Sequence, residues 1–185
     1  LEAPRVMITR GVLNPIRPAG SPSEGRGLIL IGGPSRHHDW ELEGLLAQIE
    51  SLLSDNPEVR WELTTSRRTP RQTVDALKAL NLPALSVVPF EATAAGWVAK
   101  RLEGCKHVWV SEDSVSMVFE ALTAGARVGL LEVPARSGDS RVRGAIQSLK
   151  DEGRVLRVGR PPYDEGPLPP LAEADRVAEW LLREP

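Results

Sequence analysis

From Gly27 onward, short β-rich apolar runs alternate with helical patterns, and that rhythm constrains the chain more than any other feature. Strands separated by helices are the mark of repeated βαβ units and a parallel sheet covered on both faces. The first unit is the clearest. Leu28-Ile29-Leu30-Ile31 is an unbroken apolar run, as a central parallel strand requires, and it ends at Gly32-Gly33-Pro34-Ser35. Leu42, Leu45, Leu46, Ile49, Leu52 and Leu53 then recur at helical spacing, which gives an amphipathic helix with one stripe for the sheet, stopped by Asn56-Pro57. A second strand at 61–64 leads to Thr69-Pro70, where Thr can cap a helix and Pro can take its first position. Val74, Leu77 and Leu80 form that helix's buried stripe.

Further strands fit 85–88, 107–110, 128–131 and 155–158, with helices at 94–101, 114–124 and 140–151 and a last one carrying Val177, Ala178 and Leu181. Parallel crossovers are right-handed, so about six such strands predict an α/β, Rossmann-like, doubly wound sheet in a three-layer sandwich, with strand order 3-2-1-4-5-6. The length of 185 residues suits one domain. Two flanks depart from the rhythm. Residues 14–27 carry three Pro and three Gly and read as a linker, while 160–170 carry five Pro and read as an extended segment that cannot be helix. The start, Leu1-Glu2-Ala3-Pro4-Arg5, has neither an initiator Met nor a signal-peptide pattern, which leads us to expect a start inside a longer protein.

Composition removes several classes of function. A net charge of −2 argues against nucleic acid as a partner, since such proteins carry a basic excess. The nineteen Arg against four Lys fit codon composition better than phosphate recognition, because Arg suits phosphate only where its fork is aimed. No apolar run approaches the roughly 20 residues of a membrane span, which leaves only peripheral membrane contact open. Cys105 is the sole cysteine, so an intrachain disulfide and a cysteine-built metal site are excluded, no metal is expected, and the cytoplasm is the expected compartment.

The segment from Ser111 to Gly125 holds the most chemistry. It joins the end of an apolar strand to a helix that is apolar nearly all round, hence buried, yet whose first turn offers free backbone N–H groups beside Asp113, Ser114 and Ser116. An anion can bind at such an end; equally, Asp113 or Ser114 can simply cap the helix. Glu120 lies deep in the same helix, and a buried carboxylate needs a partner: a ribose diol, or a nearby Arg, unless it sits on the helix surface. Gly32 and Gly33 suit a strand end where backbone approaches a ligand or a partner domain, or a plain tight turn. G-x-G-x-x-G spacing is absent, which argues against NAD or FAD. Arg67 and Arg68 follow the second strand, where a guanidinium can reach a diphosphate or remain a solvated loop charge. His37 and His38 read as surface or interdomain contacts, and His107 as structural.

Glu120 with Gly125 five positions later resembles the donor-binding region of GT-B glycosyltransferases. Taken together, Ile31-Gly32-Gly33-Pro34-Ser35, Thr65-Ser66-Arg67-Arg68-Thr69-Pro70 and Asp113-Ser114-Val115-Ser116-Met117 resemble the Elm1-like mitochondrial-fission family and its bacterial relatives over residues 7–177. The resemblance implies one half of a GT-B fold: residues 1–26 as remnant of an N-terminal domain and linker, 27–160 as the nucleotide-binding domain, and 161–185 as a crossing segment and C-terminal helix. It implies that a nucleoside diphosphate or nucleotide sugar is the ligand, with no separate cofactor. Gly32, Gly33, Arg67, Arg68, Asp113, Ser114, Ser116 and Glu120 would form its site, and the acceptor site and general base would come from the N-terminal half. One departure stands out: GT-B enzymes often place a hydroxyl three residues before the ribose Glu, where this chain has Met117 and the hydroxyl falls one earlier, at Ser116. Two other functions fit the resemblance, a non-catalytic adaptor for protein partners and a sugar-nucleotide 2-epimerase.

Overall fold

The computed structural model describes residues 6–18, 20, 23–136, 141–158 and 169–183. Six parallel strands form one sheet: β1 (Ser23–Ile31), β2 (Arg60–Thr65), β3 (Leu85–Val88), β4 (Cys105–Ser111), β5 (Arg127–Leu131) and β6 (Val155–Arg157). Their order is β3-β2-β1-β4-β5-β6, as expected from the chain's rhythm. Among the described residues, six α-helices connect and flank them: α1 (Leu42–Asp55), α2 (Arg71–Ala79), α3 (Trp97–Leu102), α4 (Val115–Ala124), α5 (Arg141–Asp151) and α6 (Glu173–Arg183).

Period-two alternation along β1 divides the interior. Ile29 and Ile31 enter one core with Leu45, Ile49, Leu52, Leu53 and Leu77 of α1 and α2. Leu28 and Leu30 enter the other, with Leu102 of α3, Val118, Phe119 and Leu122 of α4, and Ile146 and Leu149 of α5. All four β1 residues are completely buried, which is why the run could not alternate with polar residues.

Several boundaries differ from the sequence reading by a residue or two, and three of the differences have a physical cause. β1 begins at Ser23, inside the stretch read as linker, because pairing needs only backbone: Arg26 and Gly27 are in register with Arg60 and Trp61 of β2. α3 begins at Trp97 rather than 94, because Gly96 stands at φ 76°, a left-handed conformation that ends the helical pattern on its N-terminal side. α2 begins at Arg71 with Pro70 before it, and the Thr69 side chain does not cap it. Most of the proline-rich stretch 160–170 lies outside the described residues.

The segment 6–18 lies against α4 and α6. The Asn14 side-chain amide donates to Thr123 Oγ1 at 3.0 Å, the Arg10 amide to Glu173 Oε2 at 2.8 Å, and Arg176 to the Ile8 carbonyl at 2.8 Å. Thr123 Oγ1 also donates to the carbonyls of Phe119 and Leu171, so the entering segment, α4 and the approach to α6 meet at one point. Glu173 is buried there. Its hydrogen bonds from the Arg176 guanidinium, aided by the Arg10 amide, hold its carboxyl below the usual range against the opposing effect of burial.

Candidate functional site

Strand order reverses between β1 and β4, and in sheets of this kind the crevice at the carboxyl ends of those two strands is the usual place for a ligand. The loop after β1 carries Gly32 and Gly33, the loop after β2 carries Arg67 and Arg68, and the loop after β4 carries Asp113 and Ser114. All of these candidates therefore stand at the same edge.

The chain fills part of that crevice itself. The Asp113 side chain is completely buried; its Oδ2 accepts from the Gly33 amide at 2.9 Å and from Arg68 Nη2 at 2.9 Å, and its Oδ1 accepts from Ser111 Oγ at 2.7 Å. Ser111 Oγ in turn accepts from the Gly32 amide at 2.8 Å. Arg68 Nη1 donates to the Gly33 carbonyl at 2.7 Å, and Thr69 Oγ1 donates to the Gly32 carbonyl. The glycines are explained by these approaches: a Cβ on Gly32 would lie 2.1 Å from Asp113 Oδ2, and one on Gly33 would lie 2.3 Å from the Arg68 carbonyl oxygen. Gly32, Gly33, Arg68 and Asp113 are thus brought together, and chiefly onto one another.

Capping by Asp113 or Ser114 does not occur. Asp113 faces β1 and Arg68, and Ser114, although it precedes the first helical residue, makes no side-chain bond to the first turn of α4. The first helical bond runs from the Val118 amide to the Ser114 carbonyl, so the amides of Val115, Ser116 and Met117 have no acceptor among the described residues. Ser116 is exposed, and Glu120, four residues on and hence on the same side of α4, is half-buried. Glu120 has no hydrogen-bond or ion-pair partner among the described residues. Burial pushes its carboxyl above the usual carboxylate range. Gly125 closes the helix at φ 84°, with the Ala126 amide bonded to the Ala121 carbonyl at 3.2 Å, a left-handed stop that glycine accommodates without strain.

Arg67 turns away from α4, its guanidinium 5.5 Å from the centroid of Phe90 beyond β3. His38 is buried, not at the surface as the sequence suggested, because its backbone bridges to Ala135 and its imidazole lies against Ser35. His37 is half-buried and accepts from Arg36 Nε at 2.8 Å. Sequence reasoning missed two residues. Ser111 looks like the first loop residue but is the buried last residue of β4, and Thr69 looks like a cap but ties β2's loop to β1. The adjacent Pro70 masks Thr69's role, and a serine ending an apolar strand was the available sign for Ser111.

Among solved structures, the chain is similar to that of Phytolacca americana UGT2 complexed with UDP-2fluoro-glucose and pterostilbene, at 17% identity and a TM-score of 0.45, covering 86% of this chain and 33% of that one. It is also similar to AnUbiX (PadA1) in complex with FMN and dimethylallyl pyrophosphate, at 11% identity and a TM-score of 0.40, covering 87% of this chain and 92% of that one. The chain thus spans about a third of the length of the UGT2 structure. No curated protein matches it. No helix among the described residues is long and apolar enough to cross a membrane. The family model described as mitochondrial fission ELM1 matches residues 1–184, and by that match over nearly its whole length the chain belongs to this family.

Proposed function

We propose that the chain is the donor-binding half of a GT-B-type protein that holds a nucleoside diphosphate or nucleotide sugar along α4. The carrying observation is Glu120: a half-buried carboxylate without a partner, one turn inside a helix whose first three amides and Ser116 hydroxyl are open. The open amides and the positive end of the helix dipole suit a diphosphate. Ser114 and Ser116 supply hydroxyl donors beside it, and Glu120 accepts from the two hydroxyls of a ribose. In this reading the cluster around Asp113 shapes the floor of the site, and Arg67 is the guanidinium still free to swing toward the ligand. The acceptor and the general base belong to a second domain, so no residue of this chain is given a catalytic role.

Calorimetry with UDP, GDP, ADP and CMP against the wild type and Glu120→Ala tests the proposal. Saturable binding of at least one nucleotide, weakened about tenfold or more by Glu120→Ala, is expected for the loss of a charge-assisted contact. No binding of any of the four at millimolar concentration rejects it. An adaptor role is the second reading, favoured by the description of the family as one of mitochondrial fission. A stable protein partner captured from the source cell by a chain that binds no nucleotide would establish that reading instead.

A further inference from the structure

The opposite edge of the sheet, at the amino ends of the strands, carries a second concentration of charge that the α4 site does not use. A cavity of about 440 Å3 opens there, and Arg26, Arg60, Trp61, Glu62, Ser86 and Arg101 line it. Arg26 of β1 and Arg60 of β2 are register partners on neighbouring strands. Adjacent strands lie about 4.8 Å apart, and directly opposed like charges on a sheet repel. Both arginines are exposed, and neither has a hydrogen-bond or ion-pair partner among the described residues.

The third guanidinium is held in place. Arg101 of α3 stacks 5.0 Å from the Trp97 ring centroid, and its Nε lies 2.9 Å from Glu62 Oε2. That contact is an ion pair with a misaligned N–H, because Arg101 Nε is buried without a proper acceptor. Glu62 is two residues from Arg60 on the same face of β2, and Ser86 of β3 is its register partner, so a hydroxyl completes the wall. Among the described residues that line the cavity, three guanidinium groups face one carboxylate, an excess of two positive charges.

We propose that this cavity binds a phosphate group carried as a monoester, with Arg26 and Arg60 as its two principal ligands. A phosphomonoester carries close to two negative charges at neutral pH and offers three strong acceptor oxygens, which match two adjacent guanidinium forks better than a single carboxylate does. Bound across the two guanidinium groups, it removes the repulsion that the register imposes. The site is independent of the α4 reading, lies on the other edge of the sheet, and stands whether or not a nucleotide binds there.

The test uses the 185-residue chain with two probes of the same chemistry. Glycerol 3-phosphate is titrated in solution by calorimetry, and vesicles of phosphatidylcholine with and without phosphatidic acid are tested by co-sedimentation. The proteins are the wild type, the double variant Arg26→Gln/Arg60→Gln, and Glu120→Ala. Both arginines are exposed, so melting curves are expected to show the double variant folded. The expected result is saturable binding of one probe, at least tenfold weaker in the double variant and unchanged in Glu120→Ala. Binding of glycerol 3-phosphate identifies a soluble ligand, and binding confined to phosphatidic-acid vesicles identifies a lipid headgroup. The proposal is overturned if neither probe binds the wild type up to about 10 mM phosphate, a range that includes even weak specific sites. Equal binding by the double variant overturns it as well.

Discussion

At the carboxyl edge of the sheet, the Asp113 side chain ties three loops together. Its two oxygens accept three hydrogen bonds, one from a backbone amide, one from a guanidinium and one from a hydroxyl, without any exposure of the side chain. Removing a partner from such a cluster leaves the others desolvated and unpaired, which is the costly way to lose a buried polar contact. Arg68 is 44% exposed and recovers water, so the loss falls mainly on the Gly33 amide and Ser111. We expect Asp113→Ala to destabilise the fold by about 2–4 kcal/mol, read as a lower urea midpoint at unchanged slope. Asp113→Asn, which keeps an acceptor for the Gly33 amide, should cost roughly half as much. The sequence disclosed that 113 was a place of importance but not what it touched. Residues 33, 68 and 113 are distant in the chain, and no local spacing records that one carboxylate will span three loops.

Among the elements, α1 and α4 were legible because each writes its burial directly into its apolar spacing, and the strand order followed from right-handed crossovers with the doubly wound pattern. What escaped were features set by backbone rather than side chain. Examples are the first residues of β1, which pair without being apolar, and the left-handed Gly96 that delays α3. The union of the entering segment with α6 also escaped, because it depends on Glu173, a charged residue at a helix start that reads locally as a favourable first-turn acid. Its folded-state carboxyl titrates below its ordinary value of 4.5. The stabilisation it gives is therefore present at neutral pH and is lost as pH falls through that lowered value. In hydrogen exchange at neutral pH, we expect the Arg10 amide to exchange on the order of tenfold faster in Glu173→Gln than in the wild type. The two proteins should converge well below pH 4.5. A difference that persists in acid would mean that the glutamate's charge plays no part in the union.

At the scale of the molecule, the sheet presents two chemically distinct rims. The carboxyl rim is largely satisfied by its own chain except along α4, while the amino rim leaves two arginines facing each other. The contacts between Ile8 and Arg176 and between Arg10 and Glu173 bear on how this fold tolerates being re-routed. They bring residues 8 and 10 side by side with the first turn of α6, the closeness that joining the two segments requires. Helix α6 continues from Arg176 to Arg183, so a Gly/Ser bridge of about eight residues would span the way back to residue 6. New termini can be opened at Gly153, a left-handed turn residue with no heavy atom within 4 Å of where a side chain would begin. Such a rearranged chain should give the circular dichroism of the parent and melt within a few degrees of it, because backbone order along a single sheet matters less to this architecture than which loops end up touching.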